Sequence, residues 1–242
     1  MAYTAWLMFK ADQGHEEQLL RSCEEQYSAD PVDGFRQVNL GTAYLWLRRY
    51  ERAAEHYEAI LKVAPAAGDD IFGMAGVAKW CLGEKKEAVA LWNRGRRAKY
   101  SRGGLTVAMP LLMLFASILD PESYDKAAAE NLLREVVKNP LIRYWPGPIA
   151  RMIVGEISET ELSKELRGYN EADSRGREWD LKFYRSLLDI GESRSLRFKH
   201  AMREPTDLQR PEWQDERYFS KRVRHEELFL ARHEVETGQR GR

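Results

Sequence analysis

Two stretches of the chain decide its fold: GTAYLWLRRYERAAEHY, residues 41–57, and GVAKWCLGEKKEAVALW, residues 76–92. They align without a gap at a spacing of 35 residues. The matching pairs are Gly41 and Gly76, Ala43 and Ala78, Ala53 and Ala88, and Tyr57 and Trp92. Self-similarity at a fixed period of about 20–50 residues is typical of stacked supersecondary units. The spacing therefore predicts a chain that is built from repeated units.

Each unit contains two runs of apolar residues at helical spacing. In the first unit the earlier run comprises Leu40, Ala43, Tyr44 and Leu47, and the later run comprises Ala53, Tyr57, Ile60 and Leu61. Apolar residues three and four apart lie on one side of an α-helix. A unit is therefore predicted to be two helices that face each other, with small residues where the helices approach closely and large ones beside the crossing.

These residues resemble the tetratricopeptide repeat (TPR) family. The positions that carry the resemblance are Leu40, Gly41, Ala43, Tyr44, Tyr50, Ala53, Tyr57 and Pro65. The best units are residues 34–65 and 69–100, and Lys79 stands where the second unit would usually have an aromatic residue. The resemblance implies an all-α solenoid of helical hairpins, in which the first helix of each unit lines a concave groove.

The rest of the chain is expected to continue the same solenoid. Residues 1–140 are predicted to hold the TPR-like repeats, with a degenerate unit at 1–31 and a longer one at 104–140 whose second helix covers about 123–138. Asp120 and Pro121 are expected to begin that helix. Residues 141–242 are predicted to form degenerate helical repeats, with a capping box at Ser158 and Glu161.

A last helix is predicted over about 217–235, where it would cap the exposed end of the stack. The succession from Trp145 onward is similar to bacterial TPR lipoproteins that act as adaptors, although the lipid-anchor cysteine of those proteins is missing. The resemblance therefore implies an adaptor role, and we expect a cytoplasmic location.

Charge and hydropathy weigh against two classes of partner. The chain has 38 basic and 38 acidic side chains, whereas binders of nucleic acids or anionic membranes rely on a basic surplus. Gly103 to Leu119 carries no charge, but it is short for a membrane span and contains Pro110. We expect a buried helix there, and neither a membrane nor a nucleic acid as partner.

No catalytic or metal-binding pattern emerges from the sequence. The five histidines are scattered and none has a second ligand at helical zinc spacing, so we expect no metal and no cofactor. Cys23 and Cys81 lie within predicted helices and are interpreted as core residues. The enzymatic alternative is a dispersed site assembled from Glu156, His200, Arg203 and residues of the last helix.

The first helix of the best repeat has a second apolar side. Its residues are Phe35, Val38, Thr42, Leu45 and Trp46, and the next unit adds Val77 and Trp80. We call these seven residues the tryptophan face. One interpretation is that stacked neighbours and a C-terminal half folded back over the helices bury the face. The other, which we favour slightly, is an open groove whose tryptophans bind a partner.

The sequence thus predicts a non-enzymatic module that binds a partner protein or peptide, with Arg49, Arg94 and Arg97 setting orientation at the edge of the tryptophan face. Two roles stay open: an adaptor, or an immunity or inhibitor protein that covers the active site of a toxin. The basic cluster Arg94 to Arg102 has two interpretations as well. Cations are favoured at a helix C-terminus, or they bind an acidic surface. The sequence does not indicate the oligomeric state.

Overall fold

The structure is a computed structural model that describes residues 16–64, 68–98, 107–168, 171–188 and 225–240. These ranges contain α-helices, one short 3-10 helix at Pro140–Arg143, and no strand. The α-helices in chain order are α1 Glu16–Ala29, α2 Gly34–Trp46, α3 Tyr50–Val63, α4 Asp69–Cys81, α5 Lys85–Gly95, α6 Ala108–Leu119, α7 Lys126–Val136, α8 Gly147–Ile153, α9 Glu159–Glu165, α10 Glu171–Leu188 and α11 His225–Arg240. The predicted all-α class is confirmed.

Consecutive helices pack in pairs. Helix α2 contacts α3, α4 contacts α5, and α6 contacts α7. The pairs also contact each other in order, because α3 lies against α4 and α5 against α6, while the first helices α2, α4 and α6 touch in succession. Each helix thereby covers its apolar side with the next helix along the chain.

The two aligned units repeat the same close contact between their helices. A side-chain carbon added at Gly41 would lie 2.2 Å from the ring of Tyr57, and one at Gly76 would lie 2.1 Å from the ring of Trp92. The Tyr57 hydroxyl donates to the carbonyl of Val38 over 3.3 Å, and the Trp92 indole donates to the carbonyl of Gly73 over 3.1 Å. Val38 and Gly73 are themselves 35 residues apart, so the 35-residue spacing holds in both packing and hydrogen bonding.

The turn between the helices also repeats. Arg48 and Gly83, again 35 residues apart, both have positive φ, at 57° and 82°. After each, a backbone amide donates to the carbonyl five residues earlier, from Arg49 to Tyr44 and from Glu84 to Lys79. The left-handed conformation favours glycine. The first unit nevertheless has Arg48 at this position of the turn, where the second unit has Gly83.

Helix α6 is buried on nearly every side, as expected from its uncharged sequence. It packs against α4, α5, α7 and α10. Across the described residues, no helix combines the length and the apolar character that crossing a membrane needs. The interpretation of this segment as a buried helix is confirmed.

Some predicted helix boundaries are wrong. Helix α7 covers residues 126–136 rather than 123–138, and it begins after Asp125, whose carboxylate accepts from the amide of Ala128 over 2.7 Å. Asp120 instead ends α6. The capping box at Ser158 and Glu161 is confirmed, because each side chain bonds to the backbone amide of the other residue.

The last helix is placed differently from the prediction. It covers 225–240, and the predicted start at 217 lies outside the described residues. It does not cap an end of the stack, because it lies against α4 and α10 and contacts the end of α2. Helix α10 in turn contacts α6, so the two C-terminal helices cover one side of the first helices.

Candidate protein-interaction site

Helices α2 and α4 bring the tryptophan face together, but the face is not open to water. Leu45, Val77 and Trp80 are buried, with Trp80 at 0% exposure, and Thr42 is 2% exposed. Val38 and Trp46 are half-buried, and the side chain of Phe35 lies outside the described part of α2. The expectation of an open groove is therefore wrong, and the interpretation in which the C-terminal half folds back over the face agrees with the structure.

Helix α11 covers the α2 end of the face. The ring of Phe229 meets the Trp46 indole edge-on, with centroids 6.0 Å apart. The Arg232 guanidinium lies 5.8 Å from the centre of the same indole and donates to the Trp46 carbonyl over 3.3 Å. Next to them, the His233 ring packs against Tyr50 at 5.9 Å. Edge-to-face rings and a cation over an indole each add to the energy of apolar burial.

At the α4 end, α11 makes a polar contact with the buried tryptophan. The Trp80 indole N–H donates to the Glu234 carboxylate over 2.9 Å. The ring itself stacks on Trp92 at 5.9 Å and meets Phe115 edge-on at 5.2 Å, so it belongs to the core as well as to the face. The Lys85 ammonium lies over the same ring, 5.2 Å from the indole centroid, and pairs with Asp120 over 3.8 Å.

Helix α10 holds the other end of α11. The Tyr184 hydroxyl donates to the carboxylate of Glu227 over 2.7 Å, and Glu227 is 1% exposed. Phe183, which precedes Tyr184 in α10, stacks on Phe115 of α6 with centroids 5.9 Å apart. A buried carboxylate needs hydrogen bonds to be tolerated, and the tyrosine of α10 supplies one.

The side of α11 that faces inward follows a simple pattern. Glu227, Leu230, Ala231 and Glu234 occupy positions i, i+3, i+4 and i+7, which lie on one side of a helix. The first three are buried and Glu234 is half-buried. We call these four residues the α11 stripe. It places two carboxylates at the ends of an apolar centre, about 10.5 Å apart along the helix axis.

The predicted flanking arginines do not join the tryptophan face. Arg49 forms an ion pair with Glu17 of α1, at 2.6 Å. Arg94 is exposed and its guanidinium lies over the Phe72 ring at 5.2 Å, while Arg97 is also exposed beyond the end of α5. Of the other predicted members of the basic cluster, Arg96 is half-buried and donates to the side chain of Asn93 over 2.6 Å, whereas Lys99 and Arg102 lie outside the described residues.

The titratable groups of the described residues form no site of their own. Of the proposed enzymatic residues, Glu156 is exposed and pairs with Arg151, whereas His200 and Arg203 lie outside the described ranges. No group of three or more His, Cys, Asp or Glu side chains within those ranges could hold a metal ion. Burial, helped by the charge of Glu24, raises the pKa of the Cys23 thiol to about 12, which makes it unreactive.

His56 is the one histidine in the two aligned units. Its Nε2 atom lies 2.8 Å from the carbonyl of Gln37, and the rings of Tyr27, Tyr44 and Tyr57 surround it at 5.1, 6.3 and 5.7 Å. Burial lowers the pKa of the imidazole, and the hydrogen bond to Gln37 opposes that shift. This arrangement holds α1 against the first repeat and is not a catalytic geometry.

Comparison with known proteins identifies no relative, because family models, curated proteins and solved structures all lack a match to this chain.

The residues that cover the tryptophan face were not predicted from the sequence. Phe229, Arg232 and Glu234 received no role, although the stripe of α11 is visible as an acid, two apolar residues and a second acid at helical spacing. Such a pattern identifies an amphipathic helix. It does not identify the surface on which that helix lies.

Proposed function

We propose that this chain is a TPR-like protein-interaction module that binds a helix of another protein on its tryptophan face, with α11 as the resident occupant. The observation that supports the proposal is that a helix already lies on this face. Laying an amphipathic helix on an apolar surface is a common mode of protein recognition. The partner would take the place of α11, in the way that one ligand replaces another.

The contacts of α11 are of the kinds by which one protein holds a helix of another. They combine aromatic anchors, Phe229 on Trp46, with a few directed hydrogen bonds, Glu234 to Trp80 and Arg232 to the end of α2. Binding energy at interfaces is concentrated in such buried aromatic contacts. A partner helix therefore gains the same contacts that α11 loses, and its apparent affinity depends on how often α11 leaves the face.

The test uses the full chain and a labelled synthetic peptide of residues 225–240. Phe229→Ala with Leu230→Ala weakens the resident helix while leaving the tryptophan face unchanged. We expect fluorescence anisotropy to show that this double variant binds the peptide at least about tenfold more tightly than the wild type does, because a competing occupant lowers the apparent affinity. Thr237→Ala, on the exposed side of α11, is the matched control and should bind as the wild type does.

Failure of the peptide to bind the double variant, with helical content preserved by circular dichroism, would overturn the proposal. The natural partner follows from a second experiment, in which the double variant serves as bait in cells of the source organism. A protein retained by this variant, and bound by it again after purification, is the partner. If that protein is a toxic enzyme the role is that of an inhibitor, and if it is a client of a further enzyme the role is that of an adaptor.

A further inference from the structure

We infer that the partner helix is acidic and carries the pattern of the α11 stripe, Glu-x-x-Leu-Ala-x-x-Glu, with one carboxylate at each end of a small apolar centre. This inference rests on the proposed function. It adds the chemistry by which the site selects one helix among the many amphipathic helices that would fit an apolar surface.

Two hydrogen-bond donors contact the carboxylates of the α11 stripe. The Trp80 indole N–H donates to Glu234 over 2.9 Å, and the Tyr184 hydroxyl donates to Glu227 over 2.7 Å. An indole nitrogen can only donate, so it needs an acceptor from whichever helix lies on it. If a helix placed an apolar side chain there, the buried N–H would lose its partner, which is costly.

The second argument is charge. Hydrogen bonds to an ionised carboxylate are shorter and stronger than bonds to a neutral acceptor. The Lys85 ammonium, 5.2 Å from the centroid of the Trp80 ring, pairs with Asp120 over 3.8 Å, so the preference at this place comes from the charge of the acceptor itself. Glutamate is therefore preferred to glutamine next to Trp80.

The third argument is spacing. Glu227 and Glu234 are seven residues apart, which is close to two helical turns, so one side of the helix presents both carboxylates. Between them, Leu230 and Ala231 are 0% exposed. A larger residue at the position of Ala231 would not fit against the packed helices beneath it. The two donors thus fix the register of the bound helix, and the buried alanine limits its bulk.

The test compares peptides of residues 225–240 on the full chain carrying Phe229→Ala and Leu230→Ala. Glu227→Gln and Glu234→Gln should each weaken binding about threefold to tenfold, because the glutamine oxygen still accepts the hydrogen bond and only the difference between a charged bond, about 1.5–3 kcal/mol, and a neutral one, about 1 kcal/mol, is lost. Glu236→Gln removes the same charge at a helical position about half a turn around from both glutamates, so it is the matched control and should change affinity less than twofold.

A receptor variant assigns the effect to the indole. Adding Trp80→Phe to the receptor keeps an aromatic ring and removes the N–H. On this receptor the unmodified peptide should bind more weakly, and Glu234→Gln should cost no further affinity, whereas Glu227→Gln should cost the same factor as on the first receptor.

The outcomes separate this inference from the proposed function. If the unmodified peptide binds and the glutamine peptides bind equally well, the acidic pattern is wrong although the face still binds helices. If no peptide binds the weakened receptor, the proposed function itself fails. If Glu234→Gln reduces the peptide's affinity by the same factor on both receptors, the Trp80 indole does not distinguish glutamate from glutamine, and the inference fails at that contact.

Discussion

The two aligned units, α2 with α3 and α4 with α5, are alike where their two helices meet and different on the tryptophan face. Where the two helices of a unit meet, Gly41 with Tyr57 corresponds to Gly76 with Trp92, and the distances agree to within a tenth of an ångström. On the tryptophan face the equivalent residues differ in size or polarity. These pairs are Thr42 and Val77, Leu45 and Trp80, and Trp46 and Cys81.

The difference follows from what each surface touches. The contact within a unit is the same in the two aligned units, so the same small and large residues suit it. Helix α11 is a single element without a repeat, and it meets α2 through Phe229 and α4 through Glu234. A face that holds one helix in one orientation must be different at its two ends.

One large expected effect comes from breaking the contact that the two aligned units share. Gly76→Ala and Gly41→Ala should each destabilise the fold by about 3 kcal/mol, because the new carbon would overlap a buried ring and overpacking at its worst costs this much. Urea denaturation gives the free energy of unfolding. Gly34→Ala is the control, since nothing lies within 4 Å of that position, and it should be neutral or slightly stabilising. Equal effects at Gly34 and Gly76 would contradict the shared contact.

The next effect separates the two ends of the tryptophan face. Trp80→Ala should cost about 3–5 kcal/mol, because the indole is fully buried between Trp92 and Phe115. Trp46→Ala should cost markedly less, since Trp46 is half-buried. Thermal or urea unfolding measures both variants. If Trp46→Ala were the more destabilising substitution, the order of burial along the face would be wrong.

A smaller effect is the dependence of stability on pH that His56 gives to the first unit alone. Position 56 is histidine in the first unit and Leu91 in the second. Burial lowers the pKa of His56 below its ordinary value of 6.5, so the unfolded chain binds the proton more readily. The contribution of neutral His56 to stability is therefore present above pH 6.5 and falls as the pH decreases from 6.5 toward the lowered pKa.

Urea unfolding between pH 7.5 and pH 5 measures this dependence. His56→Leu copies the second unit and should remove the part of the slope that belongs to residue 56. Glu87→Gln, an exposed position, is the control for general charge effects. An unchanged slope in His56→Leu would show that His56 is protonated equally in the folded and unfolded chain.

The smallest expected effect comes from exchanging the turn residues of the two units. Arg48→Gly should stabilise the chain by up to about 1 kcal/mol, because Arg48 has a φ of 57° and glycine adopts this conformation without steric strain. Gly83→Ala should destabilise it by about 1 kcal/mol for the same reason. Paired denaturation curves measure both changes. Opposite signs support equivalent turns, and equal signs would contradict them.

The parts of the fold that depend on contacts between residues near each other in the chain could be predicted from the sequence. The 35-residue spacing places Gly41, Ala43 and Tyr57 on the same sides of two paired helices, and this depends only on helical geometry and neighbouring units. The boundaries at α7 were less predictable, because Asp120 and Asp125 are both suitable caps and only the packing of α6 and α7 selects between them.

The candidate site could be predicted only in part. Helical spacing identified an apolar second side on α2 and α4, but not what covers it. Glu234 is 154 residues from Trp80 along the chain, and the pattern of an amphipathic helix is compatible with many apolar surfaces. Tertiary packing decides that α11 covers Trp80, because Phe229, Ala231 and Glu234 fit there. Helical periodicity alone does not specify this fit.

Native-state hydrogen exchange is the measurement that tests most directly whether α11 is a replaceable occupant of the tryptophan face. The amide protons of α11 and the indole N–H of Trp80 should exchange through a local opening that depends little on denaturant and costs clearly less free energy than the opening of α4 and α5. If α11 and α4 exchange together, with the free energy of global unfolding and the same denaturant dependence, α11 is an inseparable part of the core and the account is contradicted.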